Sequence, residues 1–163
     1  DAMLRDVLSN LRPAKHYPAI IARATGMRQS EIFNSRIITE EGIVCFTVED
    51  AKTEAGIRLV PIRDDLIEYA NDNHHKLTVA KSYSNLFGAA KKKVTDRGDI
   101  KFHSLRSTFV TLALRAKFTE MQVAWLVGHE HGKGEALTGS HYHQGYTVEF
   151  LKEIVEAVPK FEL

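Results

Sequence analysis

Apolar side chains recur along this chain in two rhythms, and the switches between them mark out its elements. Tyr17, Ile20, Ile21 and Ala24 share one face at helical spacing, and Pro18 suits a first turn, so residues 17–24 predict a helix that Gly26 ends. The stretch ATGMRQSEIFNS reads as a bend and a short helix that turns Ile32 and Phe33 inward and leaves Arg28 near its start. From 36 to 62 the pattern changes to β-branched runs at 37–39, 43–48 and 57–62, with Gly42 and Gly56 in the connections. These runs predict an antiparallel sheet of about three strands. Lys52 falls in the connection AKTEAG, where a long side chain can reach away from the sheet.

Helical spacing returns after Pro61. DDLIEYANDN has acidic residues in its first turn, which suits the positive end of a helix. NHHKLTVAKSYS is polar and mixed and gives no assignment. Leu86, Phe87, Ala90 and Val94 then form a stripe with Lys91, Lys92 and Lys93 mostly on the other side, and DRGD makes a turn. A helix over 104–116 is expected to bury Leu105, Phe109, Leu112 and Ala116. The next, over 119–127, opens with Thr119 and Gln122 at capping-box spacing and stops at Gly128. A last amphipathic helix, capped by Thr147, carries Leu151, Ile154, Val155 and Val158. The fold class expected is mainly α with a small three-stranded antiparallel β-sheet, an α+β fold in one domain over 1–163.

A length of 163 residues with 44% hydrophobic content suffices for a real core. The single cysteine, Cys45, excludes an internal disulfide and a cysteine metal cluster and fits a reducing cytoplasm. The opening DAMLRDVLSN lacks a secretory pattern, and no apolar run is long enough to span a bilayer. A start at Asp1 suggests a piece cut from a longer protein. The net charge of +1 is weak support for a nucleic-acid partner, because it says little about how the charges are placed.

Chemistry gathers in FHSLRSTFVTLALRAKFTEMQVAWLVGHEHGKGEALTGSHYHQGY, residues 102–146. His103 and Arg106 lie three apart at a helix start, on one face with unpaired backbone amides, a setting that suits phosphate. Arg28 can complete a two-guanidinium clamp on one phosphodiester. A tyrosine hydroxyl, with an ordinary pKa of about 10, needs a base and a cationic setting to act as a nucleophile. Tyr142 is the candidate, with His103 as base, His129 as a hydrogen-bond donor to the phosphoryl group and Lys52 as proton donor to the leaving oxygen. No acidic cluster at metal-ligand spacing accompanies them, which disfavours a two-metal route. The histidines of HEH (129–131) and HYH (141–143) raise a zinc reading, but their flanks offer no fixed ligand scaffold. Plainer roles are a surface tyrosine, histidines at helix ends, a structural Arg28–Glu31 ion pair and solvated lysines at 91–93, the last also candidates for DNA phosphate contact.

TGMRQSEI, AKTEAGIRLVPI, HSLR, LVGH and the following tyrosine resemble, in order, the successive boxes of the tyrosine recombinases, the phage integrase family. The resemblance covers the chain from about residue 20 to 158. It implies a mostly helical catalytic domain with a small sheet, in which Arg28 and Arg106 hold the scissile phosphate, Lys52 is the general acid, His103 assists proton transfer, His129 is the second histidine and Tyr142 the nucleophile. Tyr146 stays open as a rival, since 142 − 129 = 13 positions separate His129 from Tyr142. The family cleaves DNA without metal or other cofactor through a 3′-phosphotyrosyl link, so the partners implied are double-stranded attachment sites and, in the synapse, a homo-tetramer. No membrane is implied. The family's amino-terminal DNA-clamping domain has no counterpart here. Alternatives are a Xer-like chromosome resolvase, a type IB topoisomerase, or a noncatalytic DNA-binding module.

Overall fold

Leu4, Val7 and Leu8 bury one side of α1 (Ala2–Ser9), a helix that the sequence reading leaves unassigned. The computed structural model describes residues 1–49, 58–77, 79–129 and 146–162. After a 3₁₀ turn at Pro13–Lys15 comes α2 (Tyr17–Thr25), buried along its whole length. Pro18 sits in its first turn and Gly26 closes it at φ 70°, the left-handed region where a Cβ is strained. A short α3 (Gln29–Asn34) follows the bend at Met27 and Arg28 and buries Glu31 and Ile32.

Strands β1 (Arg36–Glu40), β2 (Ile43–Val48) and β3 (Arg58–Pro61) pair antiparallel in that order. Arg36 faces Thr47 across the first ladder and Cys45 faces Pro61 across the second. Glu41 and Gly42 turn the first hairpin, both with positive φ, the geometry that matches the twist of the flanking strands. Helices α4 (Ile67–His74), α5 (Ala80–Lys92), α6 (Ser104–Arg115), α7 (Glu120–Val127) and α8 (Val148–Ala157) complete the described residues. The chain is thus mostly helical with a small three-stranded antiparallel sheet. One core unites them, with Ile21, Phe46, Ile62, Phe109, Leu126 and Ile154 fully enclosed.

Two helix faces differ from their expected phase. In α5 the inward residues are Tyr83, Phe87 and Ala90, while Leu86 is exposed. Aromatic packing sets this rotation, because the Tyr83 and Phe87 rings both meet Phe102 edge-on, at 5.7 and 5.3 Å. In α6 the buried face is Leu105, Arg106, Phe109 and Ala113, with Leu112 and Ala116 only partly covered. Drawing Arg106 under the surface turns the helix away from Leu112.

The last helix docks on its own chain. Arg63, buried beyond β3, donates to the carbonyls of Val155 and Val158 at the end of α8. Lys152 donates to the Ile62 carbonyl and to Asp64 at 2.7 Å, and the Asp64 amide donates to Glu156 at 2.7 Å. Among the described residues no helix is long and apolar enough to cross a membrane.

Candidate functional site

The first turn of α3 supplies the centre of the site. Arg28 occupies the N-cap position, where its side chain has no acceptor to offer the helix. Glu31, one turn on, takes that role by accepting the Arg28 amide at 2.8 Å, while its other oxygen accepts the Arg28 guanidinium at 2.7 Å. The Glu31 side chain is 5% exposed and that of Arg28 is 41%, so the carboxylate lies below and the guanidinium faces outward.

Arg106 approaches from the first turn of α6, with its side chain only 2% exposed. Its Nη1 donates to the Gly26 carbonyl at 2.8 Å and stands 4.0 Å from Glu31. Its Nε and Nη2 are buried and find no hydrogen-bond partner among the described residues. Desolvation, then the cations of Arg28 and Arg58, outweigh Glu31 and push the Arg106 pKa down to about 10. A buried guanidinium with two unfilled donors is poised for an anion.

The histidines stand at this same place. His103 is exposed at the N-cap of α6. His129 follows Gly128, which ends α7 at φ 69°, and its amide donates to Ala124 at 3.0 Å. Desolvation lowers the His129 pKa, and Arg106, Arg28, His103 and Arg58 lower it further, in that order. His129 therefore shares one electrostatic neighbourhood with Arg106, Arg28, His103 and Arg58.

Arg58 is the member that the sequence reading misses. It donates from Nη1 and Nη2 to the two Glu31 oxygens at 3.2 and 3.0 Å, and from Nε to the Leu126 carbonyl at 2.7 Å. A signal was present: Arg58 stands two residues before Val60 on β3, and alternate residues of a strand share a face. Val60 is fully buried, which places Arg58 on the inward side.

A groove of about 570 Å³ opens beside Arg28 and His103, lined also by Gln29, Lys91, Lys92 and Lys101. Lys91 donates to the Arg97 carbonyl at 2.7 Å. Lys93, exposed at the end of α5, is not among its lining residues.

The proposed acid Lys52 and nucleophile Tyr142 lie outside the described residues, as do the zinc candidates His131, His141 and His143. Among the described residues no group of three or more His, Cys, Asp or Glu side chains could hold a metal ion. Tyr146 stacks on Phe150 at 4.8 Å and meets Trp125 edge-on at 6.1 Å, so its ring is engaged in aromatic packing. Compared with protein-family models, curated proteins and solved structures, the chain finds no match in any of the three.

Proposed function

We propose that this chain is the catalytic domain of a tyrosine recombinase, a site-specific integrase of a phage or other mobile element that acts on double-stranded DNA in the bacterial cytoplasm. The observation that carries the reading is the meeting of Arg28 and Arg106 at Glu31, with two Arg106 nitrogens left unfilled among the described residues. Three arginines around one carboxylate leave an excess of positive charge that a phosphodiester would balance. The lysine-lined groove beside them would follow the adjoining backbone phosphates.

In this mechanism the Tyr142 oxygen attacks phosphorus, its proton passing to His103, while Arg28, Arg106 and His129 stabilise the charge that grows on the nonbridging oxygens. The 5′ oxygen leaves with a proton from Lys52. A 3′-phosphotyrosyl link remains, and a 5′-hydroxyl from the partner strand reverses the step, so the diester is exchanged and not hydrolysed. In the synapse four chains would act together.

The test uses a pool of nicked duplexes of randomised sequence, from which the short cleaved product escapes. Wild type should form a protein–DNA adduct that survives denaturant, with or without EDTA. Tyr142→Phe should form none while still binding DNA. DNA binding without adduct from wild type would favour the noncatalytic module, and an adduct retained in Tyr142→Phe but lost in Tyr146→Phe would move the nucleophile to Tyr146.

A further inference from the structure

From β3, Arg58 touches both α3 and the end of α7, the elements that present Arg28 and His129. From the start of β3 its fork grips both oxygens of Glu31, the same carboxylate that fixes Arg28. Its Nε holds the Leu126 carbonyl in the last turn of α7. The guanidinium also lies against Gly128: a Cβ there would stand 2.6 Å from Nη1, 2.8 Å from Cζ and 3.1 Å from Nε. The residue before His129 must therefore be bare both for its positive φ and for this close approach. Arg28 closes the ring, since its Nη2 points to the Gly128 carbonyl at 3.5 Å.

We infer that Arg58 is a positioning residue that locks α3, β3 and the end of α7 into one frame, aiming Arg28 through Glu31 and setting His129 through Leu126 and Gly128. The planar, bidentate fork is needed for this, because one guanidinium meets two carboxylate oxygens and a backbone carbonyl in fixed directions. A lysine at 58 keeps the charge and loses the geometry. Its ammonium can satisfy one Glu31 oxygen, and the carboxylate is then free to swing with Arg28. The inference rests on the anion-binding half of the proposed function and holds whether or not the chain cleaves DNA.

The test therefore reads anion binding separately from chemistry. Inorganic phosphate is titrated into the full chain while the side-chain Nε–H signals of the arginines and the ring signals of His129 are followed by NMR. In wild type, phosphate should shift Arg28, Arg106 and His129, and leave Arg58 nearly unmoved and slow to exchange with water. Arg58→Lys should stay folded, bind phosphate about tenfold more weakly, and form any DNA adduct about a hundredfold more slowly at saturating DNA. Phosphate affinity within twofold of wild type in Arg58→Lys would overturn the inference. Should Arg58→Lys fail to fold, the wild-type signals decide: an Arg58 Nε–H that exchanges quickly or shifts as much as Arg28 is equally fatal. A wild type that binds phosphate as described but yields no adduct removes the recombinase reading and leaves Arg58 as positioned here.

Discussion

Arg106 Nη1 stops 4.0 Å from Glu31 Oε2, near enough to feel the carboxylate and too far for a hydrogen bond. Glu31 is already engaged by Arg28 and Arg58, so Arg106 stays buried with its charge only partly answered. That shortfall shapes both the stability of the fold and its readiness for an anion.

Replacing Arg106 should separate the two effects. Its folded pKa of about 10 lies below the ordinary guanidinium value, so between the two the unfolded chain binds more protons and stability rises with pH. Below that window the penalty is constant. Arg106→Met should raise stability at pH 7 by about 1 kcal/mol, roughly 3 °C in thermal midpoint, and abolish phosphate binding. Phosphate should stabilise wild type and not the variant. A lower midpoint for Arg106→Met would mean that the bond to Gly26 outweighs the charge penalty.

Glu31 works in the opposite sense. Burial pushes its pKa up, but hydrogen bonds and charge from Arg58 and then Arg28 bring it below the ordinary carboxylate value. Its contribution is complete above the unfolded pKa and lost as pH falls through the lower folded one. Glu31→Gln removes the carboxylate charge that Arg28 and Arg58 share and should cost about 3 kcal/mol near neutrality. Urea unfolding from pH 3 to 7 should show the difference from wild type shrinking at the acid end.

His129 gives a second pH signature. Its folded pKa is lowered, so the imidazole is mostly neutral at pH 7 and its stabilising contribution, complete above about 6.5, is lost as pH falls through the folded value. NMR titration should place its midpoint below that of an exposed histidine. Saturating phosphate should move the midpoint upward, because a bound anion offsets the surrounding arginines. A midpoint unmoved by phosphate would place the anion elsewhere.

Gly26 supports the site from behind. A Cβ on it would stand 2.6 Å from Phe109 Cδ1 and 2.8 Å from Val127 Cγ1, on a backbone already at φ 70°. Gly26→Ala should destabilise by about 2–4 kcal/mol through strain and overpacking. Because the Gly26 carbonyl holds Arg106, phosphate affinity should fall as well, measurable by calorimetry at a temperature where the variant is still folded.

Boundaries were the legible part of the fold. Pro18 and Gly26 bracket α2, Thr119 accepts the Gln122 amide at 3.3 Å to begin α7, and Thr147 accepts that of Phe150 at 3.2 Å to begin α8. Faces were less legible. Leu86 and Leu112 look as apolar as Phe87 and Phe109, and only the ring of aromatic partners and the burial of Arg106 decide which of them turn inward. Within the candidate site, Arg28 and Glu31 could be paired from their spacing of three. Arg58 could not be joined to them, because its partners lie far away in the chain.

The sequence by itself determined the bounds of α2, α7 and the first hairpin and the start of α8, but not α1 or the start of α5, since caps, turn glycines and apolar periodicity act on backbone within a few residues. It also placed Arg28 and Arg106 at helix starts. Tertiary structure alone decided that one carboxylate, Glu31, would stand among three arginines from α3, β3 and α6, that Arg106 would be buried with two nitrogens unfilled among the described residues, and that α8 would dock on its own chain. The reason is one of range: a charge or a carbonyl is answered by whatever the packed core brings beside it, and that choice is made only when distant elements close over Phe109, Leu126 and Val60.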